Sequence, residues 1–369
     1  MSKKSTNFEL LRILLTIFIP VYHWLLYNGV FYAVDSSNNI VSLALFSGIP
    51  FSCMYAFIVM SSYFLLKKKF IWNAEKFFSF LALIITLFIF KNILIHTLFW
   101  GWKMNYYVET FFLEGAWWYV YPYLLIMLFY PLLNYFIYRI SMKILYGCII
   151  LLFSIFSVNI VTNNTIFIND CFMFLLIYLI MGCIERHKEK QPNQITFYKQ
   201  HKKGILLGIY MIAITLPSIL SIYLKFSSSN IALETANSIL QKVHGRYTLA
   251  GLVAGIALFT YFKDLQISYK PLIHEASKIT LFIFLLHESV MCVFWYFEIK
   301  SCEFLAFLPA SEFWGLLFIY LVFCILFALL VYKTYYWLFA SLWKNGIQYI
   351  CQKDFILRIE NKYKNLQEK

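Results

Sequence analysis

The stretch Ile40–Leu66, IVSLALFSGIPFSCMYAFIVMSSYFLL, runs its whole length without a charged side chain. About 20 apolar residues suffice for a helix to cross ~30 Å of hydrocarbon at ~1.5 Å rise per residue. A helix of a soluble domain keeps a polar face, and this stretch has none. Phe313–Tyr332 repeats the pattern near the other end of the chain. Both read as helices whose solvent is lipid.

Working outward, eight further apolar segments separate these two from the termini and from each other. The full set is Phe8–Asn28, Leu43–Leu66, Phe77–Phe99, Trp117–Tyr138, Ile144–Val161, Asp170–Ile184, Gly204–Leu224, Tyr247–Phe262, Ile279–Phe297 and Phe313–Ala340. Asp170–Ile184 and Tyr247–Phe262 are short for a crossing, so tilting, extension at their ends or shelter by neighbours is expected of them. The composition agrees: 62% hydrophobic and 13% charged, with a mean hydropathy of +0.71. A soluble chain is about half apolar and about a quarter charged. The expected fold class is therefore all-α, a polytopic membrane protein of about ten transmembrane helices. Residues 1–345 form the membrane domain and 346–369 a short cytoplasmic tail. The first helix is expected to stay uncleaved, because Arg12 and His23 interrupt its apolar run.

The 31 Lys and Arg against 18 Asp and Glu give a net charge of +13. The basic residues cluster between apolar runs rather than along one face, so the excess reads as the positive-inside pattern and no nucleic-acid partner is expected. Lys3/Lys4, Lys67–Lys69 with Lys76, Arg139 with Lys143, the Glu185–Lys203 loop, Lys263–Lys278 and the tail form the basic set. Even-numbered crossings end on that side, which places both termini in the cytoplasm and the protein in the cell membrane. The eight Cys lie mostly in apolar runs and form no C-x-x-C pair, so no metal site is expected of them.

Ionisable residues inside a membrane are site candidates by default. Arg12 and His23 are eleven positions apart, close to three helical turns, so they share one face about 16 Å apart along the axis. That stripe suits a ligand lying lengthwise, its anionic end at the guanidinium and its reactive end at the imidazole. It equally suits a snorkelling Arg at a helix end and a core His bonded to a neighbour. On the ninth segment His287 and Glu288 stand side by side as catalytic candidates or as a structural cross-link. Adjacent helical residues diverge by about 100°, so the two are expected to meet different partners. Lys91, Asn92, His96, His244 and Arg246 are further polar candidates.

Four segments in order then resemble one family. Asn7-Phe8-Glu9-Leu10-Leu11-Arg12 through His23, Phe57 to Leu65 with Ser61-Ser62, Gly115-Ala116-Trp117-Trp118-Tyr119-Val120-Tyr121, and Leu285-Leu286-His287 are similar to the acyltransferase family 3 membrane proteins. Two positions depart from the family pattern. Ser61-Ser62 stands where it has Ser-Gly, and Tyr121, Pro122 and Tyr123 stand where many polysaccharide-modifying members carry a Glu. The resemblance implies transfer of an acyl group, commonly acetyl from acetyl-CoA, to a hydroxyl of a cell-surface or exported glycan or lipid-linked sugar. His23 fits the role of general base, since a neutral imidazole is suited to activating an alcohol near neutral pH. Arg12 fits the phosphates of CoA, and Ser61 and Ser62 join it as candidate donor-binding residues. Direct transfer and an acyl-histidine intermediate both remain open. The alternative is a lipid-linked glycan flippase or transporter, but the prolines are not paired across halves and no internal repeat is visible.

Overall fold

The computed structural model describes residues 6–27, 37–68, 70–91, 117, 119–162, 168–190, 196–226, 248–296 and 310–365. Among the described residues the fold is all-α, without a strand. In chain order the helices are α1 (Thr6–Tyr27), α2 (Ser37–Lys67), α3 (Ala74–Ile89), α4 (Val120–Arg139), α5 (Met142–Thr162), α6 (Ile168–Lys190) and α7 (Thr196–Phe226). They continue with α8 (Leu249–Lys263), α9 (Pro271–Ser277), α10 (Thr280–Tyr296), α11 (Ala310–Thr334), a π-helical turn Tyr335–Phe339, α12 (Ala340–Cys351) and α13 (Asp354–Asn365). Each expected apolar segment is helical over most of its described residues. Val120–Arg139 and Ser311–Cys351 are long and apolar enough to cross a membrane.

Two stretches that read as loops carry helix. The Glu185–Lys203 stretch is helical over 185–190 and 196–203. The fifteen positions of Asp170–Ile184 are extended at their ends, as a short crossing allows, and α6 has 23 residues. Its polar end has reasons to stay helical. Lys188 pairs with Glu185 three positions back at 3.0 Å, and buried Arg186 donates to the carbonyls of Ile137 and, at 2.8 Å, Ile140. The tail is helical as well, because α13 places Ile356 in the protein core. Finally, α9 was hidden in what read as a basic loop; Pro271 at its start supplies a preset φ where no N–H is needed.

The chain divides into two compact units, Met1–Phe57 with Ile195–Val331 and Ile58–Gln194 with Tyr332–Lys369. In the first, the opening turn of α1 fastens the α8–α9 connection. Asn7 Nδ2 donates to the Phe262 carbonyl at 2.9 Å, the Lys270 N–H donates to Thr6 Oγ1 at 3.3 Å, and Glu9 Oε1 meets His274 Nδ1 at 2.6 Å. Because α9 leads directly into α10, these bonds set α10 beside α1. Short α8 is seated on α2 at Gly255, where an added Cβ would stand 2.5 Å from Tyr55 Cβ and 2.8 Å from the Ala56 nitrogen. Thr248 caps α8 by accepting from Gly251 N–H at 3.1 Å.

In the second unit, fully buried Asn134 on α4 donates to the Leu65 carbonyl at 3.2 Å and accepts from Tyr178 OH at 2.7 Å. One amide thus links α2, α4 and α6, as a buried polar group must be bonded. Across both units long apolar side chains point outward: Ile150, Ile212 and Phe318 are 65%, 63% and 68% exposed. A surface of this kind suits lipid as solvent.

Candidate active site

The face of α1 that carries Arg12, Thr16 and His23 advances four and then seven positions, so the three side chains form one stripe. Leu11, Leu15 and Ile19 beside it are buried and anchor the helix. Pro20 has no N–H, so the Thr16 carbonyl loses the donor that the helix would supply four positions on. Thr16 Oγ1 is itself buried and finds no partner among the described residues. The helix therefore carries a polar gap between Arg12 and His23.

At the far end of that stripe α1 meets α10. His287 is 1% and His23 8% exposed. His287 Nε2 lies 2.7 Å from His23 Nδ1, with ring centroids 4.8 Å apart. Glu288 Oε1 approaches the same His23 nitrogen at 3.3 Å. His287 and Glu288 thus converge on one partner, where divergence was expected. His23 sits at the crossing of the two helices, and the long glutamate arm reaches back across the angle between successive residues.

The hydrogen-bond partners set the tautomers. His287 Nδ1 faces the carbonyls of Phe284 at 2.7 Å and Ile283 at 3.3 Å. Carbonyls only accept, so this nitrogen carries the proton. In neutral His287 the Nε2 then accepts, and His23 Nδ1 must donate to it and toward Glu288. The lone pair of neutral His23 is left on Nε2. The arrangement is a fixed imidazole whose basic nitrogen is defined by its neighbours, with a carboxylate alongside to balance the charge gained on protonation.

The surroundings hold this geometry. Tyr320 OH donates to the His287 backbone carbonyl at 3.1 Å, and its ring stacks on Trp24 at 4.9 Å. Val21, Trp24, Val290, Phe313, Leu317, Tyr320 and Cys324 pack as one cluster. His23, His287 and Glu288 are also ligand types, with atoms within 4.8 Å of one another. Two nitrogens on one zinc ion, with bonds of about 2.1 Å at tetrahedral angles, stand about 3.4 Å apart. The 2.7 Å separation is instead that of a hydrogen bond.

Arg12 is half-buried, and no hydrogen bond or ion pair to it occurs among the described residues. Ser61 and Ser62 belong to the other unit. Ser61 Oγ is bonded to Tyr119 OH, while Ser62 Oγ is buried without a partner among the described residues. Lys91 stands over the Trp117 ring at 5.8 Å from its centroid. Asn92, His96, His244 and Arg246 lie outside the described residues, as do Gly115, Ala116 and Trp118.

Sequence reasoning passed over Thr16, the Glu9–His274 pair and Tyr320. Thr16 was findable from the 12–16–23 spacing. Nothing local marks Tyr320 among the many aromatics, or His274 in a stretch read as a loop.

The family model described as an acyltransferase domain matches residues 5–343. The chain belongs to acyltransferase family 3. No curated protein and no solved structure matches it. The matched span includes Arg12, the whole His287–His23–Glu288 arrangement and both serines, so this acyltransferase family 3 chain carries its candidate chemistry inside the domain. Membership makes it a membrane acyltransferase.

Proposed function

We propose that this acyltransferase, set in the cell membrane with about ten crossings and both termini cytoplasmic, moves an acyl group from acyl-CoA to a glycan hydroxyl. Acetyl is the proposed acyl group, and a cell-surface or exported glycan, or its lipid-linked precursor, the proposed acceptor. The observation that carries this reading is the His287–His23–Glu288 arrangement, a buried imidazole with a defined basic nitrogen.

In the proposed step His23 Nε2 takes the proton of the acceptor hydroxyl as its oxygen attacks the thioester carbonyl. The C–S bond breaks, and the departing CoA sulfur recovers that proton from the imidazolium. An ester and free CoA thiol result. Glu288 balances the transient charge on His23, and His287 holds the ring in register. Positioned general bases contribute about 10²–10⁴-fold. Arg12 offers a guanidinium to the donor's phosphates, which it matches in geometry and charge.

The test is mass spectrometry of surface glycans from cells with the protein, without it, and with His23→Ala. Paired with it is an assay of purified protein with acetyl-CoA. Ester groups present only with the wild-type chain support the reading. Unchanged esters with the His23 variant would remove its centre.

A further inference from the structure

The deep contact between α1 and α10 has a counterpart at the start of α1. Glu9 Oε1 stands 2.6 Å from His274 Nδ1, and the two side chains are 13% and 15% exposed. Glu9 Oε2 is buried and has no hydrogen-bond partner among the described residues. A carboxylate held so far from water depends on the imidazole for its compensation. Glu9 and His23 are two steps of seven positions apart, about 21 Å along α1 and within about 40° of each other around its axis.

From His274 to His287 the chain has no loose joint. Ser277 Oγ donates to the His274 carbonyl at 2.8 Å, and Thr280 Oγ1 donates to the Ser277 carbonyl at 2.7 Å. The N–H groups of Lys278 and Ile279 donate to the carbonyls of Glu275 and Ala276 at 3.2 and 3.4 Å, which closes the step from α9 into α10. Ser277 and Thr280 are both buried. Thr280 and His287, seven positions apart, lie on one face of α10. The bonds from Asn7 and Thr6 hold the chain upstream of Pro271, whereas Glu9 grips α9 itself.

We infer that Glu9 and His274 are positioning residues for acyl transfer, an inference that rests on His23 being its base. Their pair fixes the foot of α10 against α1 and so sets the register in which His287 Nε2 meets His23 Nδ1 at 2.7 Å and Glu288 approaches at 3.3 Å. Such a hydrogen bond is lost by about 3.6 Å, so a slide of about 1 Å breaks the contact between the rings. A misplacement of that size costs about a hundredfold in rate.

The full chain is purified in nanodiscs, and kcat and KM per folded molecule are compared for wild type, His274→Ala, Glu9→Ala, the double variant and His274→Asn. The asparagine amide puts an N–H donor in the place of Nδ1. His274→Ala should lose about 10–100-fold in kcat with the KM of donor and acceptor held. Glu9→Ala should lose as much, and the double variant should be no worse than either. His274→Asn should recover most of the rate. In parallel, the seven histidines are isotopically labelled at nitrogen, and the coupling across the His23–His287 hydrogen bond is read by NMR. It should be present in wild type and His274→Asn and absent from both single alanine variants. A coupling retained in His274→Ala, or a wild-type kcat in that variant, overturns the inference. So does a loss in His274→Asn as deep as in His274→Ala. An inactive wild-type chain would instead remove His23 as the base, and the coupling then decides by itself whether the pair positions the rings.

Discussion

His287 Nε2 stands 2.7 Å from His23 Nδ1, joining two helices whose contributing residues lie 264 positions apart. Because His287 gives its own Nδ1 proton to a backbone carbonyl, its role toward His23 is that of acceptor and orienter. His23→Ala should therefore reduce acyl transfer by about 10²–10⁴-fold. His287→Ala should also lower it while leaving donor affinity near wild type. Residues acting as a unit are not additive, so the double variant should be little worse than His23→Ala alone. Initial rates of the purified proteins measure this. Multiplicative losses would show two independent contributions.

Glu288→Gln keeps an oxygen able to accept from His23 but removes the charge that balances an imidazolium. The maximal rate should fall while donor and acceptor KM hold, since the carboxylate matters most once His23 is protonated. Glu288→Ala should be worse. A glutamine variant with the wild-type rate would reduce Glu288 to a packing role. Separate kcat and KM determinations decide it.

The fold and the site were legible to different depths. Uninterrupted runs such as Ile40–Leu66 announce helices because lipid imposes one solution on the backbone. The polar ends of α6 and the whole of α13 escaped notice. Their helicity depends on particular bonds, such as Arg186 to the Ile140 carbonyl and Glu360 to the Ala74 N–H, which no periodicity encodes. Within the site, the Arg12–His23 stripe follows from helix geometry alone. The partner of His23 does not, because helix–helix crossings depend on packing between segments distant in sequence. Successive helical residues point about 100° apart, yet Glu288 has a side chain long enough to turn back to His23.

Gly255 is where the first unit tolerates no side chain. Its would-be Cβ meets backbone atoms of Tyr55 and Ala56, which cannot rotate away. Gly255→Ala should destabilise the protein by about 1–3 kcal/mol through forced separation of α2 and α8. Thermal unfolding in detergent should show a lowered midpoint. An unchanged midpoint would mean the two helices separate freely.

Ser62 stands where the family pattern has glycine, and its hydroxyl is buried without a partner among the described residues. A buried, unsatisfied hydroxyl costs about 1–3 kcal/mol. Ser62→Ala should raise the unfolding midpoint of the ligand-free protein. If Ser62 also touches the donor, as the sequence suggests, the same variant should raise the KM for acyl-CoA. A more stable protein with an unchanged KM would leave the serine as a residue of packing alone.

Arg12 presents the sharpest test of donor recognition. It is half-buried, and without an ion-pair partner among the described residues it lacks what normally stabilises a cation held away from water. A ligand phosphate would satisfy it, and hydrogen bonds to charged groups are worth about 1.5–3 kcal/mol. Arg12→Ala should therefore weaken acyl-CoA binding by roughly 10–100-fold. Arg12→Lys keeps the charge but loses the planar pair of donors, so its affinity should fall between those of wild type and alanine. Once donor is saturating, the rate at His23 should recover in both variants, because positions 12 and 23 are about 16 Å apart along the α1 axis. Binding isotherms with acyl-CoA, set beside kcat, measure the two effects separately. Unchanged affinity in both variants would make Arg12 a surface anchor of α1. An undiminished KM with a lost kcat would move it into the reacting centre.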